Sequence, residues 1–138
     1  MILLCLYDKD GDISNYKNKF ITGNGILYMK RLCIFVLYDK NGEIDSYIDH
    51  IVISMQNFVQ KIILVINGCV EEVDRQRLQK HAVIFVRANE GFDAGAYKDV
   101  LLKYIPRAEW SAYDEIILMN DTFYGPFYPM EELWKTSE

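Results

Sequence analysis

Four near-continuous apolar runs, Leu32 to Leu37, Ile62 to Ile66, Ala82 to Val86 and Glu115 to Met119, recur along this chain at intervals long enough to hold a helix. Strands that are apolar on successive residues have both faces buried, and parallel strands need long crossovers between them. The intervening segments supply those crossovers. Ile44, Tyr47, Ile48, Ile51, Met55, Phe58 and Val59 recur at helical spacing and predict an amphipathic helix whose start is set by the Asn41-Gly42 turn. Glu71 to Lys80 is acidic in its first turn and basic in its last, as the helix dipole favours. Asp93 to Tyr104 reads as a third helix, with Ala94, Tyr97, Leu101 and Tyr104 inward, ended by Pro106. Alternating strands and helices predict an α/β fold, a Rossmann-like three-layer sandwich around a mostly parallel sheet. Right-handed crossovers then carry every strand exit to one edge.

The exits hold the chemistry. They are Tyr38-Asp39, Asn67-Gly68, the cluster Asn89 to Asp93, and Asn120-Asp121. Open α/β sheets bind ligands at the carboxyl ends of their strands, so four polar exits on one edge define a candidate site. Gly91-Phe92-Asp93-Ala94-Gly95 is not a dinucleotide fingerprint, and there is no Walker lysine. Gly91 and Gly95 let the backbone come close to a ligand or to a neighbouring strand. Asp93 has two readings: it caps the third helix, worth about 1 kcal/mol, or it meets a ligand. Asn120 and Asp121 also have two readings, an ordinary turn or a carboxylate site for Mg²⁺ or Mn²⁺ bridging a diphosphate, because these ions take oxygen ligands.

Composition removes other classes. At 138 residues, 51% hydrophobic, the chain is long enough for one packed domain. A net charge of −5 argues against a nucleic-acid surface, because phosphate binding needs concentrated Lys and Arg. The one basic group, Arg75, Arg77 and Lys80, reads as the solvated face of a helix. Cys5, Cys33 and Cys69 show no paired spacing, which fits a reducing, cytoplasmic compartment. No segment has the apolar length of a membrane span, and Met1 to Leu6 is too short for a signal peptide.

Leu6 to Tyr16 and Leu37 to Tyr47 match at seven of eleven positions, each a strand followed by a turn. Asp8-Lys9-Asp10-Gly11 resembles a calcium loop only superficially. With Gly11 at position 6, Leu6 and Lys17 fall where an EF-hand needs oxygen ligands, and the second copy fails in the same way. The chain divides into residues 1–28, an extension that repeats the strand and turn of 32–47, and residues 29–138, the main domain. The extension either lengthens the sheet or exchanges with a second copy.

Two stretches carry a family likeness, Asn89 to Asp99 (NEGFDAGAYKD) and Tyr113 to Pro126 (YDEIILMNDTFYGP), with Lys30 to Asp39 as a similar opening. From about Met29 to Trp134 the chain resembles the rhamnan synthesis protein F family of bacterial surface-polysaccharide assembly. The resemblance implies the nucleotide-binding half of a GT-A glycosyltransferase, using a nucleotide-diphosphate sugar such as dTDP-L-rhamnose and a saccharide or lipid-linked saccharide acceptor. It sets Tyr38, Asp39 and Asn67 toward base and ribose, and Asp93 toward ribose or sugar, with Asn89, Gly91 and Gly95 in the same donor-binding group. Asn120 and Asp121 take the place of the Asp-x-Asp metal motif, with one acid where that motif has two. Such enzymes place the acceptor site and any catalytic base after this strand, so no catalytic residue is assigned here. A non-catalytic scaffold or oligomerisation domain of the same pathway, a homo-oligomer, and peripheral association with membrane-bound assembly enzymes are the other expectations.

Overall fold

The computed structural model describes residues 2–5 and 30–122. The first repeat copy, the 25–28 segment and the aromatics between Phe123 and Trp134 lie outside the described residues. The elements are β1 (Ile2–Cys5), β2 (Arg31–Asp39), α1 (Tyr47–Met55), β3 (Lys61–Gly68), α2 (Glu72–Leu78), β4 (Val83–Arg87), α3 (Phe92–Asp99), a π-helical turn (Val100–Tyr104), α4 (Arg107–Trp110) and β5 (Glu115–Asn120).

The sheet order is β1-β5-β2-β3-β4. β5, β2, β3 and β4 are mutually parallel, and β1 runs antiparallel along β5. From β2 the chain steps outward through β3 to β4, then returns to the other side of β2 as β5. The crossover that leaves β2 runs through α1 over one face of the sheet, and the crossover that arrives at β5 runs through α3 over the other. This is a topological switch point, where open α/β sheets leave a crevice.

Alternate residues of the strands sort into two cores. Cys33, Phe35, Leu37, Leu64, Ile66, Ile117 and Met119 pack with Ile48, Ile51, Val52 and Met55 of α1 and Leu78 of α2. Leu32, Ile34, Val36, Ile63, Val65 and Ile116 pack with Ala96 of α3 and Val100 of the π turn. Three layers follow, with α1 and α2 on one face and α3 on the other. Each fully buried Leu, Ile or Val contributes about 1.5–3 kcal/mol, which explains why β2, buried from Arg31 to Leu37, anchors the sheet. Burial also pushes the Cys33 thiol pKa up to about 12, so it behaves as a small apolar group.

Three expectations need correction. The first helix is shorter than its apolar spacing. Asp45 starts it by accepting from the Tyr47 amide at 3.1 Å, and the Asn41-Gly42 turn belongs instead to Asp39. Ile44, Phe58 and Val59 join the same core from the flanking loops. The basic trio of α2 is not merely a solvated face: the Arg77 guanidinium pairs with Asp49 of α1, donates to Asp74 at 2.8 Å and to the Ile44 carbonyl at 2.6 Å. In α3, Ala94 is exposed while Ala96 and Val100 are fully buried. The helix is entered through left-handed backbone at Gly91 (φ 70°) and Phe92 (φ 51°) and widens into the π turn, which shifts its inward face. Ile105, ahead of Pro106, is extended as that position requires, and α4 begins directly after the proline.

Candidate functional site

Asn120, the last residue of β5, pairs in register with Val36 and so lies on the α3 side of the sheet. Its Nδ2 donates to Asp93 Oδ2 on α3 at 2.7 Å, and Thr122 Oγ1 donates to its Oδ1 at 2.8 Å. The two motifs are thus joined by a direct hydrogen bond. Asp93 does not cap α3: the residue before the helix is Gly91 and no side chain caps its first turn. Of the two readings of Asp93, capping is the one the structure removes.

Asp121 reaches across the switch point. Its Oδ2 accepts from the Tyr38 amide at 3.0 Å, and its carbonyl accepts from the Tyr47 hydroxyl at 3.3 Å. Burial raises the Asp121 pKa above the ordinary carboxylate value; the Tyr38 amide opposes this, and the charges of Asp93 and Asp39 raise it further. Asp93 is thus bound to Asn120, and Asp121, the next residue of the chain, to the Tyr38 amide. Asp39 is held below the usual range by the amides of Glu43 and Asn41, to which its Oδ1 is bound at 3.0 and 2.8 Å. Tyr97 donates to the Met119 carbonyl at 2.9 Å. Burial, then the Asp93 charge, raises its hydroxyl pKa, so it remains a protonated donor.

The remaining expected residues fall into two groups. Tyr38 stands on the rim, half exposed at 50%. Asn67 does not: it is 1% exposed and accepts on Oδ1 from Arg87 Nη1 at 2.6 Å, so it stands behind the rim as a joint between β3 and β4. Asn89 is partly buried in the loop leaving β4. Gly91 and Gly95 bring backbone close to backbone within this loop. A Cβ on Gly95 would lie 2.2 Å from the Glu90 carbonyl oxygen, and one on Gly91 would lie 3.2 Å from the Gly95 Cα.

Sequence reasoning missed Arg87. Its guanidinium donates to Asn67, to Asp99 Oδ2 at 2.8 Å and to the Glu90 carbonyl at 2.6 Å, fixing the loop that delivers Phe92 and Asp93. The available signal was its place: an arginine closing an apolar strand, with polar neighbours on the next exit. A helical Gly→Ala change ordinarily stabilises by about 1 kcal/mol. Gly95→Ala is expected to do the reverse, costing about 1–3 kcal/mol as an overpacked site does, because the collision is with backbone. Urea unfolding of the variant measures the sign.

Among the described residues no group of three or more His, Cys, Asp and Glu side chains is arranged as a metal cage. No helix among the described residues is long and apolar enough to cross a membrane.

Fold and rim together define an α/β domain in which Asp93, Asn120 and Asp121 come together beside Tyr38 at the topological switch point. The chain belongs to the rhamnan synthesis protein F family, whose model matches residues 62–138, more than half of the sequence. That match begins in β3 and takes in both motifs, whereas the likeness expected from Met29 onward is matched only from Ile62. Membership places the chain in rhamnan-type polysaccharide synthesis. Comparison with curated proteins and with solved structures gave no match.

Proposed function

We propose that the β2–β5 crevice binds a nucleotide-diphosphate sugar, dTDP-L-rhamnose being the first candidate, and presents the sugar for transfer to a saccharide or lipid-linked saccharide. The observation that carries this reading is the Asn120–Asp93 hydrogen bond beside the Asp121–Tyr38 bond. It joins the two family motifs at the place where a sheet of this order takes its ligand. Charge sets a condition on it. Asp39, Asp93 and Asp121 would repel a bare diphosphate, so an anionic donor fits only with a divalent cation between them. Asp121 and Asp93 would hold Mg²⁺ or Mn²⁺ from one side, since each carboxylate has acceptor capacity beyond the hydrogen bond it receives. Asn120, with its amide committed to Asp93 and Thr122, orients that pair. When bound, such an ion neutralises charge on a leaving diphosphate.

Calorimetric titration with dTDP-L-rhamnose, with and without Mn²⁺, tests the proposal. Metal-dependent binding is expected, and absence of binding by any nucleotide diphosphate at about millimolar concentration, a standard free energy near −4 kcal/mol, would refute it. A scaffold role is the second reading, favoured by one observation. β4 ends the sheet among the described residues, with Val83 and Val86 each 42% exposed, and such an edge invites pairing with another chain. Sedimentation showing a monomer independent of concentration would count against it.

A further inference from the structure

Phe92 combines two costs with no internal return. Its backbone is left-handed at φ 51°, the one non-glycine residue with positive φ among those described. A phenylalanine rarely holds this conformation. Its side chain is 73% exposed, so hydrophobic burial does not offset the strain. Strain that the surrounding structure enforces, without packing to justify it, points to use by a ligand.

The enforcement is visible. Arg87 grips the Glu90 carbonyl at 2.6 Å, the Gly95 amide donates to the Gly91 carbonyl at 2.8 Å, and the absent Gly95 side chain lets the loop lie against α3. The next residue, Asp93, is fixed by Asn120. The ring is therefore held out at the rim, one residue from the crevice carboxylates. Tyr38, the other exposed aromatic of this rim, falls in register with the residues of β2 that face α3, and its ring passes over Gly68.

We propose that Phe92 is a stacking platform for the nucleobase of the donor, a positioning residue of the crevice. This rests on the nucleotide-sugar reading above and extends it. With Asp93 and Asp121 given to the cation on the diphosphate, the heterocycle is the part of the donor that an exposed aromatic face beside them can hold. Aromatic–base stacking tolerates any base because each has a π-face. Phe92 thus contributes affinity for the nucleotide rather than a choice among bases.

The experiment titrates dTDP, with Mn²⁺ present, into the wild-type chain and into Phe92→Ala, Phe92→Trp and Phe92→Gly. Phe92→Ala and Phe92→Gly are expected to weaken dTDP binding roughly 5- to 150-fold, the loss typical of one base–aromatic stack. Phe92→Trp is expected to retain affinity, and its indole fluorescence is expected to change on titration. Phe92→Gly is also expected to unfold at a higher temperature than the wild type, since glycine adopts this backbone freely. A residue with only a structural role would not combine greater stability with lost binding. Wild-type binding with dTDP affinity unchanged in Phe92→Ala would overturn the Phe92 assignment alone. Failure of the wild type to bind any nucleotide would overturn both this and the reading on which it rests.

Discussion

Glu115→Gln is expected to lower the unfolding free energy by about 3–5 kcal/mol, because it takes the carboxylate out of a buried ion pair with the Arg31 guanidinium. The two side chains are 1% and 2% exposed and form an ion pair between β2 and β5, at the end of the sheet opposite the crevice. Arg31 Nη1 also donates to the Phe58 carbonyl at 3.4 Å. A domain of this size is stable by about 5–15 kcal/mol in total, so the single change removes a large share of its stability. The double variant Arg31→Met, Glu115→Leu is expected to recover most of the loss, since an apolar pair of similar volume is often neutral or stabilising. Urea unfolding of the three proteins decides the matter. A loss below about 1 kcal/mol for Glu115→Gln, the range of exposed pairs, would show that water reaches this site.

Asp121→Asn is expected to weaken Mn²⁺-dependent nucleotide-sugar binding by at least ten- to a hundredfold, which is what removal of a mere outer partner of a metal ligand costs. It is also expected to stabilise the free protein at neutral pH. Burial raises the Asp121 pKa above its ordinary value, so the folded chain holds that proton more tightly than the unfolded one. Between the ordinary and the raised value, stability falls as pH rises; above that window the full cost of a buried charge is present, and below it the cost vanishes. Thermal unfolding of Asp121→Asn against wild type should therefore show an advantage at pH 7 that disappears in strong acid. The asparagine still presents an oxygen to the Tyr38 amide, so the loop is retained. A variant less stable at pH 7 that binds donor as well as wild type does would contradict both halves of this expectation.

The sheet was legible because its signal is local. Each apolar run marks a strand to within two residues, and the polar residues after each run mark the exits. The convergence of Asp93, Asn120 and Asp121 followed from topology, since parallel strands with helical crossovers place their exits together. What escaped was set by partners distant in sequence. Arg31 reads as an ordinary strand-opening cation until β5 places Glu115 beside it, 84 residues away. Asn67 reads as a rim residue until β4 brings Arg87 into register with it. The inward face of α3 was misjudged because neither left-handed backbone at Phe92 nor a π turn has a reliable periodic signature.

The central claim is that the crevice between β2 and β5 receives the donor, and backbone amide NMR of the labelled chain tests it most directly. Addition of dTDP-L-rhamnose with Mg²⁺ is expected to shift the amides of Tyr38, Asp39, Phe92, Asp93, Asn120 and Asp121 most. Replacing Mg²⁺ by paramagnetic Mn²⁺ is expected to broaden those of Asp93 and Asp121 first. The groove lined by Leu101, Leu102, Tyr104, Pro106 and Trp110, beyond the far end of α3, is expected to stay silent. Shifts concentrated in that groove, or a rim unchanged at saturating donor, would contradict the account.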